Sequence, residues 1–261
     1  MNIGIFCRQN DNNLVDLIER LFDIGENNIF VIIENKNNIK PGKIKEWKSE
    51  NFDLGFFEKI ISLLNSVKKR IIKKKINKKI NKRIKGNFDA KFWCVKNNIK
   101  HIFSPHNSIE SENFIKNEQI EHLFLLSGGI IKKNILDLNN LIIYNAHPGK
   151  LPRHRGLGSM EWSIIEGRHF SLTLHILNHK IDEGDIIKIV DFFPNKNENI
   201  KDFKDRVINY KSLIFSEHVK NINKDGVVRY PQNSFEGILH RKLTRKEKKV
   251  LEKQFNNLKK I

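Results

Sequence analysis

Apolar residues in this chain fall into short runs separated by stretches with helical spacing. Asn2–Cys7 are nearly continuous in apolar residues, the pattern of a strand buried on both faces. After a polar loop from Arg8 to Asn13, Leu14, Leu17, Ile18 and Leu21 recur every three or four positions, which predicts an amphipathic helix. Asn28–Ile33 then return to a strand pattern. The alternation resumes at a helix marked by Phe92, Val95 and Ile99, a strand over Lys100–Phe103 and a capped turn with a short helix over Asn107–Ile115. A buried strand over Glu121–Leu126, a helix over Lys132–Leu136 and a second buried strand over Leu141–Tyr144 follow. Pro148, Gly149 and Pro152 bar regular structure until a helix begins near Ser159. Ser171–Leu177 and Asp185–Val190 predict two strands joined through a turn at Gly184. The expected fold class is α/β, a Rossmann-like doubly wound sheet that is mostly parallel.

Beyond Val190 the pattern changes. Phe203, Val207, Tyr210, Leu213, Ile214 and Val219 give one helix over Asp202–Val219. Gly226–Tyr230 read as a brief extended piece, Pro231–Ser234 as a turn, and the charged tail from Thr244 as an exposed helix. We therefore expect a catalytic domain over 1–190 and a small, mainly helical extension over 191–261. Between the second and third strands, 36–57 are weakly patterned. Ile60, Leu64, Val67, Ile71, Ile76, Ile80 and Ile84 then predict a helical insertion over about 58–86.

Charge changes the reading of that insertion. Lys plus Arg number 48 against 30 Asp plus Glu, a net +18, and Lys68–Lys85 hold eleven basic residues and no acidic one. Three roles are open: contact with an anionic membrane surface, contact with nucleic acid, or a solvated surface helix. Lys, Ile and Asn are abundant throughout, so part of the charge is compositional. Cys7 and Cys94 lie far apart, with no CxxC and no histidine pair at ligand spacing. Neither a disulfide framework nor a metal is expected. The amino terminus reads as a strand rather than a signal peptide, and no apolar run approaches membrane-spanning length. A cytoplasmic location is expected, with peripheral contact to the inner membrane face through 58–86 as one alternative. The first loop lacks GxGxxG, which removes the main support for a dinucleotide cofactor.

The chemistry concentrates between Leu141 and Ile187. Asn145 and His147 fall just past a predicted strand end, where open α/β sheets collect ligands, and Asp182 lies in the turn before Gly184. The amide of Asn145 can donate to a developing oxyanion. His147 titrates near neutrality and can move a proton, while Asp182 can orient the imidazole and favour its protonated form. An amine acceptor would make a Ser or Cys nucleophile unnecessary. Each residue alone reads as well as a turn former or surface group; the ordered set does not. His175, inside a strand pattern, reads equally as a packed core histidine. Arg8 and Gln9, in the first loop, could hold an anionic group. Arg155, beside Gly156, could bind a substrate anion or make a structural salt bridge.

At Asn145-Ala146-His147-Pro148, Leu151-Pro152, Arg155-Gly156, His175 and Asp182-Glu183-Gly184-Asp185-Ile186-Ile187 the chain resembles the folate-dependent formyltransferases. The resemblance implies that Asn145, His147 and Asp182 are the catalytic residues and that N10-formyltetrahydrofolate is the one-carbon donor, with no metal. It also implies that Leu126, Ser127, Gly128, Gly129 and Ile130, with Asn178, His179, Lys180 and Ile181, wall the pterin ring. HPGKLPRHRG is similar to the branch holding sugar N-formyltransferases and methionyl-tRNA formyltransferases. The helical reading after Val190 favours an amino-sugar nucleotide acceptor of surface-glycan or lipopolysaccharide synthesis over charged tRNA. It leaves room for a homodimer. A formyltetrahydrofolate hydrolase and a basic nucleic-acid-binding protein are the alternatives from other classes.

Overall fold

The computed structural model describes residues 1–34, 88–168, 170–225 and 227–259. The chain divides into two compact units, Met1–Asn35 with Ala90–Ile261, and Lys36–Asp89. The basic insertion expected over 58–86 lies outside the described residues, as does Gly226.

In the first unit the strands are β1 (Ile3–Arg8), β2 (Ile29–Glu34), β3 (Lys100–Phe103), β4 (His122–Leu125), β5 (Ile142–His147), β6 (His154–Gly156), β7 (Phe170–Ile176), β8 (Ile186–Phe192) and β9 (Ile238–His240). The helices are α1 (Asn13–Asp23), α2 (Ala90–Lys96), α3 (Ile109–Asn117), α4 (Lys133–Leu136), α5 (Ser159–Ile165), α6 (Ile200–Asn209), α7 (Lys211–Asp225) and α8 (Arg245–Leu258). Seven strands form one sheet in the order β3-β2-β1-β4-β5-β7-β8. The first five run parallel, while β7 is antiparallel to both β5 and β8. Strand order reverses between β1 and β4, the switch point at which such sheets open a crevice beyond their carboxyl ends. Arg8 and Ser127 flank it.

The apolar runs of β1 and β4 form strands because both faces are covered: Ile3, Ile5, Phe6, Leu123 and Phe124 have no exposed surface. The stripe Leu14, Leu17, Ile18 and Leu21 turns α1 onto the sheet. Beside it α7 packs on α1, tied by a hydrogen bond from Ser212 Oγ to the Asn13 carbonyl at 3.1 Å.

Three expectations need correction. The helix over Asp202–Val219 is two helices, broken at Tyr210, whose ring packs edge-on against Phe192 at 5.1 Å. The tail helix α8 starts on a capping box of Thr244 and Glu247, but it is not simply exposed. Its i, i+4 pair Leu251 and Phe255 is buried, with Phe255 against Phe203, so two apolar residues orient a helix dominated by charge. The third correction is an added strand: Ile238–His240 pair in parallel with β6 to make a separate two-stranded sheet. Among the described residues, no helix is long and apolar enough to cross a membrane.

Candidate active site

Asn145 and His147 lie within β5 rather than past its end. Two residues apart on one strand, they face the same side. The antiparallel register sets Asn145 directly opposite His175 on β7, and Asn145 Nδ2 lies 3.2 Å from His175 Nε2. The turn between β7 and β8 then returns Asp182, in a left-handed conformation (φ 55°), to the same spot. Its Oδ2 stands 3.3 Å from His147 Nδ1, and its Oδ1 3.7 Å from His175 Nε2. The expected triad converges, and His175 joins it.

The backbone holds each side chain in one role. The Gly156 N–H donates to Asp182 Oδ2 at 2.8 Å, and Gln232 Nε2 donates to the Asp182 carbonyl at 3.1 Å. His147 Nε2 meets the His154 carbonyl at 2.9 Å. A carbonyl only accepts, so Nε2 carries the proton of the neutral ring and Nδ1 is its basic nitrogen. Gly149 makes room for that bond, because a Cβ there would fall 2.8 Å from both His147 Nε2 and the His154 oxygen. Likewise His175 Nδ1 donates to the Ile176 carbonyl at 3.1 Å. Its Nε2 therefore accepts one N–H of Asn145 and leaves the other free for a ligand.

Burial decides the protonation state. His147 is only 4% exposed, and loss of hydration pushes its pKa below the usual value although Asp182 pulls it upward. The expectation that Asp182 would favour the protonated imidazole is thus overridden by desolvation. His175 is pushed down to about 4, first by burial and then by the His147 charge. Near pH 7 both rings are neutral, the state in which one accepts a proton and the other accepts the Asn145 hydrogen bond.

The loops expected to hold ligands line two separate pockets. Arg8, Asn10, Asp11, Asn12, Asn13, Ser127 and Asn209 surround about 290 Å³ at the switch point. There Arg8 donates from its backbone to Ser127 Oγ at 2.9 Å and from Nη2 to the Gly128 carbonyl at 2.8 Å. Its Nε is buried with no hydrogen-bond partner. Gly128 has no space for a side chain, since His106 Nδ1 lies 2.8 Å from where Cβ would be. Asn178, His179 and Lys180 line the second pocket of about 350 Å³ with Glu183 and Gln232. Ile130 and Ile181 are exposed at the loop tips, whereas Leu126 is buried. Gln9 uses its backbone to bond Glu34 and Ala90. Arg155 takes the structural one of its two readings: it is buried, bonded to Glu183 and, at 3.1 Å, to the Gly237 carbonyl.

Sequence reasoning missed Lys211 and Gln232 altogether. Lys211, at the start of α7, points its ammonium back to the Leu126 carbonyl at 3.5 Å. Burial lowers its pKa to about 8, with Asp11 and Asp182 pulling it up and Arg8 pushing it down. Both residues reach the site from beyond Val190, and no local motif marks them.

A family model described as formyl transferase matches residues 1–219. Methionyl-tRNA formyltransferase of Rickettsia bellii is 33% identical over 144 residues, covering 54% of this chain and 46% of that protein. Its counterpart in Mycoplasma pneumoniae is 33% identical over 141 residues, 53% and 45% of the two chains. These matches span less than half the length of the curated relatives. In architecture the chain is similar to an N-formyltransferase from Helicobacter canadensis solved with folinic acid and dTDP-3-aminofucose. That likeness has a TM-score of 0.60 at 17% identity and covers 100% of this chain and 82% of the other. It is also similar to a phosphoribosylglycinamide formyltransferase from Anaplasma phagocytophilum, with a TM-score of 0.57 at 15% identity over 92% and 98% of the two chains.

Proposed function

Since the chain belongs to the formyl transferase family, we propose that it moves a formyl group from N10-formyltetrahydrofolate to the primary amine of a nucleotide-linked amino sugar. The observation that carries this reading is the neutral, tautomer-fixed His147 held between Asp182 and the His154 carbonyl, with the amide of Asn145, two residues back on the same strand, steadied by His175. N10-formyltetrahydrofolate would supply an activated formyl carbon. The loop 178–181, lining one pocket with Glu183 and Gln232, offers a surface to its pterin ring, while the loop 126–130 lines the separate switch-point pocket through Ser127. The free N–H of Asn145 stabilises the oxygen of that carbon as the amine adds to it and the oxygen becomes negative. His147 Nδ1 takes the proton released by the attacking nitrogen, and Asp182 stabilises the imidazolium so formed. When the bond to the carrier nitrogen breaks, the imidazolium returns the proton to that nitrogen. The ring ends neutral, as it began. No covalent enzyme intermediate and no metal enters these steps.

An amino-sugar nucleotide is supported by the Helicobacter canadensis likeness, which extends over the whole chain and whose partner was solved with such a ligand. It is supported too by the helical character of 191–259 and by Arg8 in the switch-point pocket, a cation suited to a phosphate. Charged tRNA is the second reading, favoured by the names of the curated relatives. On the first reading the product enters surface-glycan synthesis. Tetrahydrofolate release, followed by absorbance with amino-sugar nucleotides, charged initiator tRNA, glycinamide ribonucleotide and no acceptor, tests both. Turnover confined to an amino-sugar nucleotide supports the proposal. Turnover only with tRNA replaces it, and formate release without acceptor reassigns the chain as a hydrolase.

A further inference from the structure

Seven residues past His147, a second set of donors assembles from two neighbouring elements and one distant one. His154 stands on β6, His240 on β9 and Glu166 just beyond α5. One ring nitrogen of each imidazole and one carboxylate oxygen all lie within 4.8 Å of one another. The two rings are within 18° of parallel, and His154 Nδ1 meets His240 Nε2 at 3.0 Å. A single proton therefore occupies the space between two basic nitrogens. The remaining nitrogen of His154, on a residue 1% exposed, makes no hydrogen bond and stands 3.8 Å from Glu166 Oε2.

We infer that His154, His240 and Glu166 bind a transition-metal dication of the zinc class. Two imidazoles and one carboxylate are the donor set of an open zinc site, completed by water, and imidazole selects Zn, Ni, Cu or Co over Mg and Ca. Ligation at about 2.1 Å places tetrahedral donors about 3.4 Å apart. The three donor atoms, within 4.8 Å of one another, need to shift by at most about 1.4 Å to reach that spacing. Glu166 is already held by Arg153 at 3.0 Å and Arg168 at 3.6 Å. The metal displaces these guanidinium contacts, so the site is exchangeable and its occupancy follows the free metal concentration. Glu166 is exposed and His240 part-exposed, which gives an entry path. Occupancy would clamp β9 to β6 through side chains. It would also bear on His147, whose Nε2 is held by the His154 carbonyl.

The test is a Co²⁺ titration of tag-free, metal-stripped protein, read by visible absorption, with Zn²⁺ as competitor. One equivalent should bind and give the bands of a four- or five-coordinate histidine site. His240→Ala and Glu166→Gln, both on the open side of the cluster, should each weaken binding at least about tenfold. Amide exchange over Ile238–His240 should slow on adding Zn²⁺ to the unaltered protein. Absence of Co²⁺ binding by the unaltered protein, or unchanged affinity in both variants, overturns the inference. Neither readout uses turnover, so the result stands apart from the reaction proposed above.

Discussion

Two histidine pairs lie back to back in this molecule, and they are held in opposite ways. His147 and His175 share Asp182, and a main-chain carbonyl fixes the tautomer of each, His154 for one and Ile176 for the other. His154 and His240 share Glu166 but bond to each other, with no carbonyl to decide which nitrogen is protonated. The difference teaches what the backbone contributes. A ring with a fixed tautomer presents one basic nitrogen in one place, as proton transfer requires. A ring without one leaves either nitrogen open to a proton or a metal ion.

The comparison breaks most visibly at His147. His147→Ala should lower turnover by about a thousandfold, within the range of a general base, with a melting temperature near that of the parent. Near-normal turnover in steady-state assays would strip the first pair of its chemical role. Asn145→Ala should cost about a hundredfold in kcat through the lost oxyanion donor. His175→Ala should cost about tenfold, because it frees the amide rather than removing it; equal losses in the two would make His175 more than a positioning residue. His240→Ala, by contrast, should leave metal-free turnover within about threefold of the parent.

A smaller, pH-dependent effect joins the two pairs. His154 and His175 are held at about 4, and His147 and His240 below the usual value, in each case first by burial. Between about pH 6.5 and about pH 4 the unfolded chain therefore binds more protons than the folded one. Stability rises with pH across that window and is lost as pH falls through it. Thermal unfolding at pH 7 and pH 5 should show the lower melting temperature at pH 5. A flat profile would mean that the rings are hydrated and titrate freely.

Much of the first pair was legible in the sequence and almost none of the second. Asn145 and His147 stand two apart, and the Asp182 turn announces itself through Gly184. His175 could be placed on a strand but not opposite Asn145, because the register of an antiparallel pair is a property of two strands together. His154 and His240 are 86 residues apart, and β9 is three residues long, too short for any periodicity to show. The parallel sheet was legible because its inner strands β1 and β4 are buried on both faces and read as apolar runs. The tail helix was misjudged because two apolar residues among many charges carry little weight in a sequence and decide everything in packing.

The contact between Ser212 and the Asn13 carbonyl closes a loop of 199 residues. Arg155 is likewise braced by Gly237, 82 residues further on. On the ribosome, then, the residues proposed to be catalytic emerge well before late-arriving parts of the fold, among them Gln232, which holds the Asp182 carbonyl. A nascent or prematurely ended chain holding Asn145, His147 and Asp182 would carry the reactive side chains without the walls that orient them. Broken messages for this protein should yield silent fragments rather than stray activity.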